Sequence, residues 1–162
     1  MQKPTINYKD YTVKLKNLQA ANTRVSFVLN NPNFLGINGK VDYKLFVQDA
    51  EFLAGQTDSI DAPANSETEF FLEQDLDFAK IFGSAANLIK AVLDGQEFVK
   101  VRVAGQYALK TLWVIEETVR FDQTINIPLP TRAQVEAEFQ KEIGKSLQNI
   151  DLKGIEDILK KL

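Results

Sequence analysis

Apolar and polar residues alternate along most of the first 130 positions. In "RVSFVLN", Val25, Phe27 and Leu29 share one face, with Arg24, Ser26 and Asn30 on the other. "VDYKLFV" sets Val41, Tyr43, Leu45 and Val47 together, and "ETEFFLE" does the same with Thr68, Phe70 and Leu72. The longest run, "FVKVRVAGQYALK", aligns Val99, Val101, Val103, Tyr107 and Leu109 against Lys100, Arg102, Gln106 and Lys110. "TVRFDQTINI" adds Val119, Phe121, Ile125 and Ile127. A period of two buries one face of a strand and wets the other, as in antiparallel sheets. With "YTVKLKNL" and the short "AEFLAG", the pattern predicts about seven strands. "LQAANT", "LGING" and "APANS" supply turn residues between them. The expected fold is mainly β, an antiparallel β-sandwich of immunoglobulin or fibronectin-III-like shape.

Two stretches depart from the alternation. "DLDFAKIFGSAANLIKAVLDG" brings Phe78, Phe82, Ile89 and Leu93 near helical spacing, with an Asp at its entry and Gly95 beyond its end. It reads as an inserted helix, broken at Gly83, that closes one end of the sandwich. After "IPLP" the pattern changes again. Thr131 and Gln134 make a capping box, and Val135, Phe139, Ile143 and Leu147 recur every four residues. "DLKGIEDILKK" then offers Leu152, Ile155, Ile158 and Leu159. Residues 1–130 are expected to form the sandwich domain and residues 131–162 an amphipathic helical C-terminal extension.

Composition narrows the chemistry. A chain of 162 residues fits one domain and buries roughly 70% of its unfolded surface. Its 19 basic and 22 acidic residues give a net charge of −3, with no long basic run, so nucleic acid is not expected as a partner. There is no Cys, hence no disulfide, zinc–thiolate site or thiol nucleophile. There is no His, the commonest general base near neutral pH and the commonest transition-metal ligand. Ser-His-Asp and Cys-His catalysis each need a residue the chain lacks. Asp, Glu, Lys and Tyr remain for acid–base work, so an enzyme using carboxylates or a metal is the least expected class, and no catalytic residue, cofactor or metal ligand is assigned.

Candidate sites each have a plainer reading beside them. "LGINGK" ends in Gly-Lys like a phosphate loop, but Phe34 stands where the first Gly belongs and Val41 where the magnesium-binding Ser or Thr belongs. A hairpin turn fits better. Glu73, Asp75 and Asp77 offer carboxylates to a hard cation but lack an EF-hand's loop, and helix capping is the favoured reading. Among eleven Phe, four Tyr and one Trp, Phe46, Phe71 and Trp113 fall on outward or loop positions. They are candidates for a contact surface, with core packing as the alternative. The C-terminal extension mixes Glu136, Glu138, Lys141 and Glu142 on its polar face, which favours packing on its own domain or a second copy over a membrane surface.

The stretch "FVLNNPNFLGING" interrupts a strand with Asn31, Pro32 and Asn33. Pro32 cannot donate to a ladder, and Asn33 supports a turn through its side chain. A strand leading into "NNPNFLGI", then "VDYKLFV", "FLAG" and "IDAPANSETEFFL", resembles the late embryogenesis abundant type 2 family, built on the water stress and hypersensitive response (WHy) domain. The match is ordered from about Thr12 to Pro130, with "VKLKNL" upstream and "IPLP" at its end. The Asn-Pro-Asn element is its best signature; the inserted helix and the C-terminal extension lie outside it.

The resemblance implies a folded, desiccation- and stress-associated β-sandwich related to fibronectin type III. It implies no enzymatic activity, and protection of other proteins against dehydration, freezing or heat. Many bacterial members look like exported lipoproteins whose mature domain starts shortly after a lipidated Cys. That implies a lipid-anchored protein of the bacterial cell envelope or periplasm, attached only through an N-terminal lipid missing from this chain. A cytoplasmic protein starting at Met1 is the alternative. The competing function is an envelope binding or assembly module that engages a protein partner through the helical extension or a sheet edge.

Overall fold

The computed structural model describes residues 2–110 and 116–143, the side chains of residues 110, 116 and 141–143 excepted. Strands β1 (Thr5–Leu15), β2 (Ala20–Asn31) and β6 (Ser66–Asp77) form a three-stranded sheet in the order β1-β2-β6. Strands β3 (Ile37–Val47), β4 (Ala50–Gln56), β7 (Phe98–Lys110) and β8 (Glu116–Pro128) run in the order β4-β3-β7-β8, and β5 (Ile60–Ala62) pairs with β3. The fold is the expected β-sandwich with helices. Among the described residues the strands number one more than the pattern predicted, because the three residues of β5 are too few to show an alternation.

Among the described residues the chain divides into two compact units. One draws on Met1–Thr12, Arg24–Glu73 and Lys100–Asn126. Its core holds the inward series of each long strand: Val25, Phe27 and Leu29; Val41, Tyr43 and Leu45; Phe70 and Leu72; Val101, Val103, Tyr107 and Leu109; Val119, Phe121 and Ile125. Phe27 of β2 and Phe70 of β6 stack at 5.5 Å, and Phe121 of β8 meets Phe27 at 4.6 Å between ring centres. The stacked pair lies within one sheet, and Phe121 from the other sheet meets both rings tilted or edge-on, arrangements that aromatic quadrupoles favour.

Glycines in the five-stranded sheet make room for these rings. A Cβ on Gly105 would lie 2.5 Å from Phe121 and 2.7 Å from the Asp42 carbonyl oxygen. One on Gly39 would lie 2.3 Å from the Ala108 carbonyl oxygen and 2.9 Å from the Tyr107 ring. This corrects the reading of "LGING" as a turn. The turn ends at Gly36, and Ile37–Gly39 already belong to β3, where the missing side chain of Gly39 accommodates Tyr107.

The other unit draws on Val13–Thr23, Gln74–Val99 and Ile127–Leu162. It holds α1 (Phe78–Phe82), α2 (Ala85–Leu93) and α3 (Arg132–Ile143). The break at Gly83 is real: this residue caps α1 with φ of 89°, a left-handed conformation natural to glycine. Ser84 caps α2 through a bond from the Asn87 amide. Asp77 caps α1 by accepting from the amides of Ala79 and Lys80. Glu73 and Asp75 are not part of that cap. Phe70, Leu72 and Leu76 keep the inward period of two, so β6 runs on to Asp77 and turns both acids outward.

The Thr131–Gln134 box forms as expected. The Gln134 amide donates to Thr131 Oγ1 at 3.1 Å, and the Thr131 amide donates to Gln134 Oε1 at 2.8 Å. Val135 and Phe139 are buried in this unit with Phe78, Leu88, Ile89 and Val92. Leu147 and the "DLKGIEDILKK" segment lie outside the described residues.

Candidate functional site

The Asn-Pro-Asn element closes β2 and opens the turn to β3. Asn31 is fully buried. Its Nδ2 donates to the carbonyls of Leu35 at 2.9 Å, Ala62 at 3.1 Å and Pro63 at 3.1 Å. An amide has two hydrogens, so one of these bonds is shared. Its Oδ1 accepts from the backbone amide and from Nδ2 of Asn33, both at 3.1 Å. Asn33 exchanges a pair of bonds with the backbone of Gln2, at 2.8 and 2.9 Å, and its carbonyl accepts from the Asn65 amide at 2.9 Å. Pro32 lies between them without an amide hydrogen to place.

The two carboxamides thus join the N-terminal segment, the β2–β3 turn and the β5–β6 loop. They bring no acid, base or nucleophile to the surface. Beside them the turn carries Phe34 and Leu35, 81% and 43% exposed. Sequence reasoning passed over both. Phe34 entered it only as the wrong residue in a phosphate loop, although the place of Phe34 and Leu35 between Asn33 and Gly36 was the available signal.

Phe46 and Phe71 face outward, on different sheets. Phe71 on β6 is 40% exposed, and the Arg24 guanidinium lies 3.6 Å from its ring centre. Phe46 on β3 is half-buried, with the Arg102 guanidinium 4.3 Å from its ring centre. Phe46 and Arg102 are direct partners in the β3–β7 register, and Arg102 also meets Asp122 at 2.9 Å. Each ring is therefore roofed by a cation, which keeps it in place while leaving part of its edge to solvent. Trp113 lies outside the described residues.

The acidic trio has separate duties. Asp75 accepts from Asn22 at 3.0 Å and pairs with Lys16 at 2.9 Å, and these bonds hold its carboxyl below the usual range. Asp77 is occupied as a helix cap. Among the described residues no group of three or more acidic side chains converges as metal ligands would. In the second unit an open groove is lined by Leu15, Lys16 and Leu18 about the β1–β2 turn and by Gln134, Ala137 and Glu138 of α3.

The sequence matches no family model and no curated protein. Solved structures do resemble the fold. A protein from Archaeoglobus fulgidus aligns with a TM-score of 0.54 at 11% identity, over 76% of this chain and 98% of its own. AT1g01470 from Arabidopsis thaliana aligns at 0.56 and 18% identity, over 80% of this chain and 84% of its own. A putative late embryogenesis abundant protein, At2g46140.1, aligns at 0.53 and 16% identity, over 80% of this chain and 73% of its own. At such identities the likeness is one of fold alone.

Proposed function

We propose that this chain is a non-enzymatic, stress-associated protein of the late embryogenesis abundant type 2 kind that protects other proteins under desiccation, cold or heat. The observation that carries this reading is the coincidence of two independent lines. The ordered motif from "VKLKNL" to "IPLP" resembles that family, and the fold resembles a structure titled as a putative late embryogenesis abundant protein. The surface supports the same role. Phe34, Leu35, Phe71 and Phe46 offer scattered apolar contact, which suits weak and broad association with partly unfolded clients.

The test is aggregation of a heat-labile enzyme followed by light scattering. The chain should suppress scattering more than an inert β-sandwich of equal mass does, and Phe34→Ser with Leu35→Ser should reduce the effect without lowering the melting temperature. Protection equal to that of the inert sandwich removes this reading. An envelope assembly module is the competing function. Capture of a single defined partner that depends on residues 131–162 would establish it instead.

A further inference from the structure

Asn38–Gly39 is the only place in the chain where asparagine precedes glycine. Glycine has no Cβ to shield its backbone nitrogen, so this dipeptide is the one most prone to intramolecular attack on the carboxamide. We propose that Asn38 is a deamidation site kept latent by the fold and released when β5 and the adjoining end of β3 open locally. In the reaction the Gly39 nitrogen bonds to Asn38 Cγ and the Cγ–Nδ2 bond breaks. Ammonia leaves, carrying the proton that Gly39 gives up. Water then opens the resulting succinimide to aspartate or isoaspartate.

Three features hold the reaction back. Gly39 lies in β3 between two partners, opposite Ile60 of β5 and Leu109 of β7. Attack requires turning Asn38 far from the ψ of roughly +135° that a strand imposes. The carboxamide is itself restrained, with Nδ2 donating to Asp61 Oδ1 and Oδ1 accepting from Ser59 Oγ at 2.6 Å. Beneath them the Tyr107 ring occupies the space left by Gly39, and its hydroxyl donates to the Ile60 carbonyl at 3.0 Å, tying β5 down.

The restraint is local. β5 has three residues, and Asn38 opposite Lys110 is the last described pair of the β3–β7 register. Segments of this kind open well below the global unfolding free energy. Once the reaction has occurred the strand does not close as before. A new carboxylate stands beside Asp61, and isoaspartate adds a methylene to the β3 backbone that breaks the pairing on both sides. The site thereby converts time spent open into a permanent change, independently of the function proposed above.

The experiment compares the full chain with a synthetic peptide of residues 34–44 under mildly alkaline conditions, mapping mass gain and isoaspartate at Asn38. The folded chain should react about a hundredfold more slowly than the peptide. Tyr107→Phe and Ser59→Ala should each accelerate Asn38 about fivefold, the loss of one hydrogen bond, while Asn65 in its exposed turn keeps its rate. For the unaltered chain, the Asn38 rate should rise in urea well below the unfolding midpoint. Reaction at the peptide's rate in the native chain overturns the proposal. So does a rate that responds only to global unfolding.

Discussion

At Asn31 a single carboxamide satisfies carbonyls from Leu35, Ala62 and Pro63 together with the Asn33 amide, all of them remote from water or nearly so. Replacing it with alanine removes all of these bonds, two of them buried, while the Pro63 carbonyl keeps the Ser66 hydroxyl. Asn31→Ala should therefore lower the unfolding free energy by about 3 kcal/mol in urea titration, and Asn33→Ala by less. Neither should change protection per folded molecule, because both carboxamides are buried. Tyr107 gives a second prediction at this scale. Burial, then the charge of Asp61, pushes its hydroxyl up to about 12 from an ordinary 10.0. The unfolded chain thus loses this proton first as pH rises. Stability should be intact below pH 10 and fall between pH 10 and about 12, and Tyr107→Phe should flatten that fall in alkaline melts. Neither role was fully legible in sequence, since Ala62, which joins Asn31, and Ile60, which joins Tyr107, lie 31 and 47 residues away.

Elements were legible in proportion to their regularity. β7 occupies the very run of alternating residues that predicts it, and the Thr131 box starts α3 where its side-chain chemistry places a helix entry. Thr131→Ala should cost about 1 kcal/mol by removing that cap, seen as an earlier urea midpoint and faster exchange of the first α3 amides. The β3–β4 hairpin carried no sequence signal. Val47 pairs with Ala50, leaving Gln48 and Asp49 as a two-residue turn with φ of 52° and 62°. Such turns prefer Asn-Gly, so Gln48→Asn with Asp49→Gly should raise stability by about 0.5 to 1 kcal/mol in denaturant titration. Next to it the register slips between Leu45 and Phe46, one of the irregularities that alternation cannot encode.

Across the molecule the ion pairs lie at the surface. In all five described pairs each partner is 36% or more exposed. Solvent and salt screen such pairs, leaving burial of the two cores as the main support. Raising salt from about 0.05 M to about 0.5 M should change the unfolding free energy by less than about 1 kcal/mol. Sequence alone determined the β-sandwich class, the inward series of the long strands, the helix break at Gly83 and the α3 cap. Each of those depends on chemistry within a few neighbouring residues: side-chain period, glycine at positive φ, a hydroxyl three residues from an amide. Only the tertiary structure decided that Gly39 lies in a strand beneath Tyr107, that Asn31 and Asn33 join three separate segments, and that arginines roof Phe46 and Phe71. Those contacts join residues far apart in the chain, and they exist only once sheet order and register have brought their strands together.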